Sequence, residues 1–399
     1  MTKKLSSLWL VLLVVFMPFS AWLVSFTGHA TVALGRDILL ALLILTTVWV
    51  MKPPKRRPLF ILALLFIGWG LLSYFWREES LDQWLRGIRF VLEPVILFWV
   101  ILLAAHKMSR RYVWIFLGLS AAATILLGYG EYFHPELVRY TLGSGLHLGN
   151  LEQIHLAGDW QRMQSTLAGP NALGLYLMIV LLVSPMWLKK VNRYVGVLVV
   201  IAGLAALVLT FSRSCYLGLG AGLIALVAVM WPLYPRWRWA YVTVLIIGAL
   251  VASLLAYKTP SGLLRPNSNQ IRLDQYERVW QERYDIGLLG RGIGSAGLVS
   301  QYRFDGGQNN YTENTYLDMF EALGLVGALS YLSLWFVTLW SLFRKKDFEA
   351  KVIGAAGVGI LVAGLFINHY TGQAAIWMFW LLAGLALAKL EPDNGEDWA

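Results

Sequence analysis

The chain has a single cysteine, Cys215, among 399 residues. An intrachain disulfide is therefore excluded, and cysteine usage says nothing about compartment. Charge is scarce as well. Asp, Glu, Lys and Arg together make up 14% of the chain, against 58% hydrophobic residues. A soluble domain cannot hide that much apolar surface. No internal repeat and no low-complexity tract is present. His134, His147 and His155 share one loop, but their spacings of 13 and 8 residues do not fit a compact metal-ligand pattern. The polar loops also lack paired aspartates and any DxD-like motif, so no metal site is expected.

What is present is a series of apolar runs near 20 residues long, which matches the thickness of a bilayer. Lipid offers no partner to a backbone N–H or C=O, so spanning segments satisfy their own and are helical. The pattern predicts an all-α, polytopic membrane protein, one domain over residues 1–399. Twelve spans are read at 7–26, 37–51, 58–75, 90–105, 112–131, 168–188, 194–211, 214–233, 239–257, 314–343, 352–369 and 373–389. The run after Met1 has no small-residue cleavage site and is read as a retained first helix. With both termini cytoplasmic, nineteen of the 33 basic residues fall on the cytoplasmic side. That placement explains the +10 net charge as a topological signal rather than a nucleic-acid footprint.

The remaining fourteen basic residues are thirteen arginines and one lysine, Lys258. Lysine suffices as an anchor, whereas a planar, always-charged fork suits phosphate oxygens or carboxylates. Three outer segments carry most of them. Residues 76–90, WREESLDQWLRGIRF, read as an amphipathic interfacial helix with Trp76 and Trp84 at head-group level. Residues 132–167 form a polar loop. Residues 258–312, between spans nine and ten, form the longest break in the hydrophobic sequence and are the expected active-site loop.

Several residues stand out there. Arg213, in LTFSRSCYLGLG, sits between two apolar runs, where a charge is costly unless it is paired, functional or snorkels to the interface. Gly218, Gly220 and Gly222 permit close helix packing behind it. A helix is predicted over NQIRLDQYERVWQERYD, with Arg272, Tyr276, Val279 and Arg283 near one face. The run Gly290-Arg291-Gly292-Ile293-Gly294-Ser295 reads equally as a phosphate nest of backbone amides or as a tight turn back to the membrane. Glu313 stands at the start of the tenth span, where an acid either complements the helix dipole or serves as a general base.

At these residues the chain resembles the O-antigen ligase and polymerase superfamily of bacterial envelope glycosyltransferases. QRMQSTLAGPNALGLYL resembles the family's arginine followed by a Pro-Asn pair at a helix start, here Arg162 and Pro170-Asn171. TFSRS resembles its serine-arginine motif at Arg213. Arg272, Tyr276 and Gly290 to Gly294 resemble its arginine, aromatic and glycine turn, with tyrosine where tryptophan is usual. Glu313-Asn314, nine residues, then Gly324 and Gly327 resemble the ligases' His-Asn and Gly-x-x-Gly.

The resemblance implies a periplasmic active site in the inner membrane. It implies transfer of a glycan from undecaprenyl diphosphate to an acceptor hydroxyl, with no cofactor, nucleotide sugar or metal. Glu313 would be the base, Arg213, Arg272, Arg162 and Arg283 would bind the diphosphate, and Asn314, Tyr276, Asn171, Gly324 and Gly327 would support them. Glutamate in place of the ligases' histidine resembles the polymerase branch; the alternative acceptor is lipid A–core. Implied partners are the lipid-linked donor, the acceptor glycan, membrane lipids and other polysaccharide assembly proteins. A transporter for the same lipid-linked sugar would instead spread charge through the midplane and show related halves with broken helices.

Overall fold

A computed structural model describes residues 2–27, 29–51, 57–104, 110–134, 162–190, 193–230, 266–302 and 311–388. Every regular element among them is helical. In chain order they are α1 (Thr2–Thr27), α2 (Leu34–Thr47), α3 (Arg57–Leu72), α4 (Leu81–Gly87), α5 (Glu93–Ala104), α6 (Arg110–Phe133), α7 (Pro170–Val183), α8 (Pro185–Lys190), α9 (Arg193–Leu209), α10 (Arg213–Met230), α11 (Pro266–Gln281), α12 (Arg283–Ile286), α13 (Thr315–Arg344), α14 (Phe348–Ala363) and α15 (Gln373–Ala388). Seven helices among the described residues are long and apolar enough to cross a membrane. Eleven of the twelve expected spans coincide with helices; the ninth, 239–257, lies outside the described residues, as do His147 and His155.

The helices sort by exposure. α7 and α15 are buried almost along their whole length and form the centre. α3, α6 and α9 present Ile61, Leu65, Leu119, Leu126, Leu198 and Ile201 outward, all more than half exposed. An exposed apolar surface of that extent is stable only against lipid. α10 packs on α14 through small residues. A Cβ at Gly218 would lie 2.6 Å from the Gly359 carbonyl oxygen and one at Gly222 2.9 Å from that of Ala355, whereas Gly220 faces open space. The close-packing signal in the glycine run therefore resides in the i, i+4 pair.

Two further features tie the helices together. α4 and α5 are one helical run, joined by a π-helical turn at Ile88–Leu92. The amphipathic segment 76–90 thus divides at Ser80, which caps α4 by accepting from the Gln83 N–H at 3.3 Å, and its latter part feeds into the span. Beside it, Arg36 on α2 pairs with Glu93 at 3.0 Å and Arg89 with Asp37 at 2.7 Å, while Arg36 also donates to Gln373 and stacks on Trp377. Buried charges persist only when paired, and this cluster ties α2, α5 and α15 together.

Candidate active site

The site begins at the turn between α9 and α10. Arg162 is 4% exposed, yet its donors are used. Its Nε donates to the Thr210 carbonyl at 2.8 Å and its Nη2 to Asn171 Oδ1 at 2.9 Å. Asn171, the second residue of α7, also accepts from the Ser212 hydroxyl at 3.0 Å. Arg162 and Asn171 thereby clamp the Thr210–Ser212 turn, which holds Phe211 at φ 49 and launches α10 at Arg213. Arg213 reaches across and donates through Nη2 to Asn269 Oδ1 on α11 at 3.0 Å.

Asn269 and Arg272 are three residues apart on α11 and so share a face. Arg272 forms an ion pair with Glu313, its Nε and Nη2 both meeting Oε2. The Glu313 backbone N–H donates to Gln275 Oε1 at 3.0 Å. Further along this face the Tyr276 hydroxyl donates to the Leu365 carbonyl at 2.8 Å, and Val279 is 1% exposed. Partial burial raises the Tyr276 phenol above its ordinary pKa, so it stays a donor. Of the face predicted from spacing, Arg272, Tyr276 and Val279 are the part that docks.

Arg283 does not join this set. The helix breaks at Glu282, and Arg283 opens α12, roughly 16 Å along the axis from Arg272 at 1.5 Å per residue. Its guanidinium stacks 4.5 Å from the Trp280 ring and 4.2 Å from Tyr284, and donates to the Trp280 carbonyl at 2.5 Å.

Glu313 is not the cap of the helix that follows it. Asn314 is, accepting from the N–H groups of Tyr316 at 2.9 Å and Leu317 at 3.2 Å, while its amide donates to Leu365 at 3.1 Å. With capping done by its neighbour, the Glu313 carboxylate faces the arginine.

α13 then breaks at Gly324, with φ 67 and ψ −171, a conformation open essentially to glycine alone. The break frees backbone groups of α13, and the glycine turn of the loop takes four of them. The N–H groups of Arg291 and Gly292 donate to the carbonyls of Glu321 and Ala322 at 3.0 and 2.8 Å; those of Leu325 and Val326 donate to Gly287 and Leu288 at 3.2 and 3.3 Å. A Cβ at Gly290 would lie 2.3 Å from the Gly324 nitrogen. The amides of Ile293 and Gly294 go to Ser73 Oγ at 3.2 Å and Glu79 at 3.3 Å. With its donors spent on the protein, the 290–295 run is a docking turn and not a phosphate nest. Gly327, one turn past the break, makes room for Trp69, whose Nε1 donates to the Leu323 carbonyl at 2.9 Å.

A second fastening has no periodic signature in the sequence. Arg278, on a different face of α11 from Arg272, makes a bidentate contact with Glu321, 2.8 and 2.9 Å, and the Glu321 side chain is fully buried. Hydrogen bonding to Glu321 holds the Arg278 guanidinium above its ordinary pKa. Arg291 adds contacts to Glu282 at 2.9 Å and Glu321 at 3.3 Å. α11 is thus pinned at Glu313 and at Glu321, two points on the chain leading into the membrane. Chemically, the result is one carboxylate, Glu313, paired with one forked cation, Arg272, and no group of three or more His, Cys, Asp or Glu suited to a metal ion occurs among the described residues.

Residues 197–332 match the family model described as O-antigen ligase. The matched stretch carries Arg213, Arg272, Tyr276, Glu313, Asn314, Gly324 and Gly327; Arg162 and Asn171 precede it. No curated protein matches the chain.

Proposed function

We propose that the chain, whose residues 197–332 match the O-antigen ligase family model, is a membrane glycosyltransferase of the ligase and polymerase superfamily that polymerises a glycan carried on undecaprenyl diphosphate. The observation that carries this reading is the Arg272–Glu313 pair, an acid and a forked cation held at the membrane mouth by separate scaffolds. An acceptor sugar hydroxyl attacks the anomeric carbon of the donor. Its proton passes to Glu313, the bond from that carbon to the diphosphate oxygen breaks, and undecaprenyl diphosphate leaves. Arg272 and Arg213 bind the diphosphate and stabilise the charge that grows on it. Arg162 acts one step back, fixing the turn from which Arg213 projects. A diphosphate at Arg272 competes with Glu313 for the guanidinium, so donor binding itself releases the base. No step calls for a metal or cofactor. The enzyme works on the periplasmic face of the bacterial inner membrane, with both termini in the cytoplasm.

Glutamate at position 313, where the resembling ligases have histidine, favours a polymerase that extends one lipid-linked chain with another. The family description favours the second reading, a ligase whose acceptor is lipid A–core. Purified protein in nanodiscs, given donor alone and then donor with lipid A–core, separates the two. A ladder of longer lipid-linked glycans from donor alone supports polymerisation. Product that forms only with lipid A–core supports ligation. Flipping of the donor without any product refutes glycosyl transfer.

A further inference from the structure

The carboxylate of Asp318 is 1% exposed, one turn into α13, and neither the sequence motifs nor the base-and-arginine scheme employs it. A buried carboxyl group is costly unless donors take up its oxygens. Both are taken up here. Oδ1 accepts the Thr312 backbone N–H at 3.0 Å and lies 2.7 Å from the Thr312 hydroxyl; Oδ2 accepts from the Asn368 amide. The Thr312 hydroxyl also lies 3.0 Å from the Asn314 carbonyl. Thr312 and Asn314 flank Glu313, and Thr312 and Asn368 are as deeply buried as Asp318.

We propose that Asp318 is a positioning residue for Glu313, acting through Thr312. The inference rests on Glu313 being the base. The contact that aims the Glu313 side chain is the pair with Arg272, and that is the contact a donor diphosphate competes for. Once it is released, the direction of the carboxylate depends on the backbone at 312–314. Asp318 holds that backbone from the protein side, independently of Arg272. The neighbouring Thr315 extends the hold: its N–H donates to Gly364 at 2.9 Å, its hydroxyl to Ile367 at 3.1 Å, and it accepts the His369 N–H at 2.9 Å.

Because Asp318→Ala can unfold the region, the test uses Thr312→Val, which keeps the side-chain shape, with Thr312→Ser as the conservative control. Single-turnover transfer, donor Kd and Tm are measured for each, alone and with Glu313→Gln. The expected result is a fall in transfer rate of about 10–100-fold for Thr312→Val at unchanged donor Kd, the size of effect that a misaimed group produces. Thr312→Ser should restore the rate, and Thr312→Val should cause no further loss in the Glu313→Gln background, because both act through one carboxylate. Equal losses in both backgrounds, or a loss of donor affinity at unchanged rate, would overturn the proposal. Full activity of Thr312→Val beside an inactive Glu313→Gln would overturn positioning alone; a fully active Glu313→Gln would remove the base reading itself.

Discussion

Gly324→Ala is the substitution that best probes how the loop is held. An alanine Cβ would sit 2.3 Å from the Leu288 carbonyl oxygen, and φ 67 with ψ −171 is itself strained for an L-residue by about 1–3 kcal/mol. Leu288 is backbone and cannot swing aside. The cheaper escape is for α13 to straighten. The N–H groups of Leu325 and Val326 then recover the carbonyls of Glu321 and Ala322, the i−4 partners of a regular helix. The loss falls on the loop, where the amides of Arg291 and Gly292 surrender their acceptors. Two hydrogen bonds at about 0.5–1.5 kcal/mol each give a local loss of about 1–3 kcal/mol. Hydrogen exchange in residues 287–294 should therefore quicken by about 5–150-fold, with the other helices unchanged. Glycosyl transfer should fall with it, since α11 loses its anchorage at the break. Unchanged exchange in 287–294 would refute the claim that the loop is docked through this break.

Other substitutions separate grip from scaffold. Arg272→Lys and Arg213→Lys should each weaken donor binding by about 10–100-fold, because a forked contact becomes a point charge, and a donor titration reads this directly. Arg278→Ala leaves buried Glu321 with only the longer Arg291 contact, at 3.3 Å, which should cost about 1–3 kcal/mol of stability. A thermal melt should show the drop, and adding Glu321→Gln should recover part of it. Asn171→Ala removes the acceptor shared by Arg162 Nη2 and the Ser212 hydroxyl, at about 0.5–1.5 kcal/mol per hydrogen bond, and should lower donor affinity through Arg213 while leaving expression in the membrane intact.

Much of this design is legible in the sequence because it follows local rules. Apolar runs of bilayer length announce the spans, and α7, α13 and α15 lie where hydropathy alone puts them. The docked face of α11 follows from 100° per residue, as Arg272, Tyr276 and Val279 demonstrate. The same rule failed at Arg283 because it assumes an unbroken helix, and α11 stops at Gln281. A lone glycine in an apolar run does not reveal a break, since what stabilises Gly324 is a turn more than 30 residues earlier. That partner, and the pairing of Arg278 with Glu321 or of Arg36 with Glu93, is set by tertiary packing and leaves no periodic trace. The 290–295 run was ambiguous for a related reason: backbone amides bind phosphate or protein equally well, and only the acceptors opposite them decide.

The most direct test of the central claim measures donor binding and single-turnover transfer side by side for the wild-type protein and Glu313→Gln in nanodiscs. If Glu313 is the base, the variant binds donor at least as tightly, since Arg272 loses its anionic competitor, while transfer falls by about 10²–10⁴-fold. Transfer at the wild-type rate in Glu313→Gln would contradict the account.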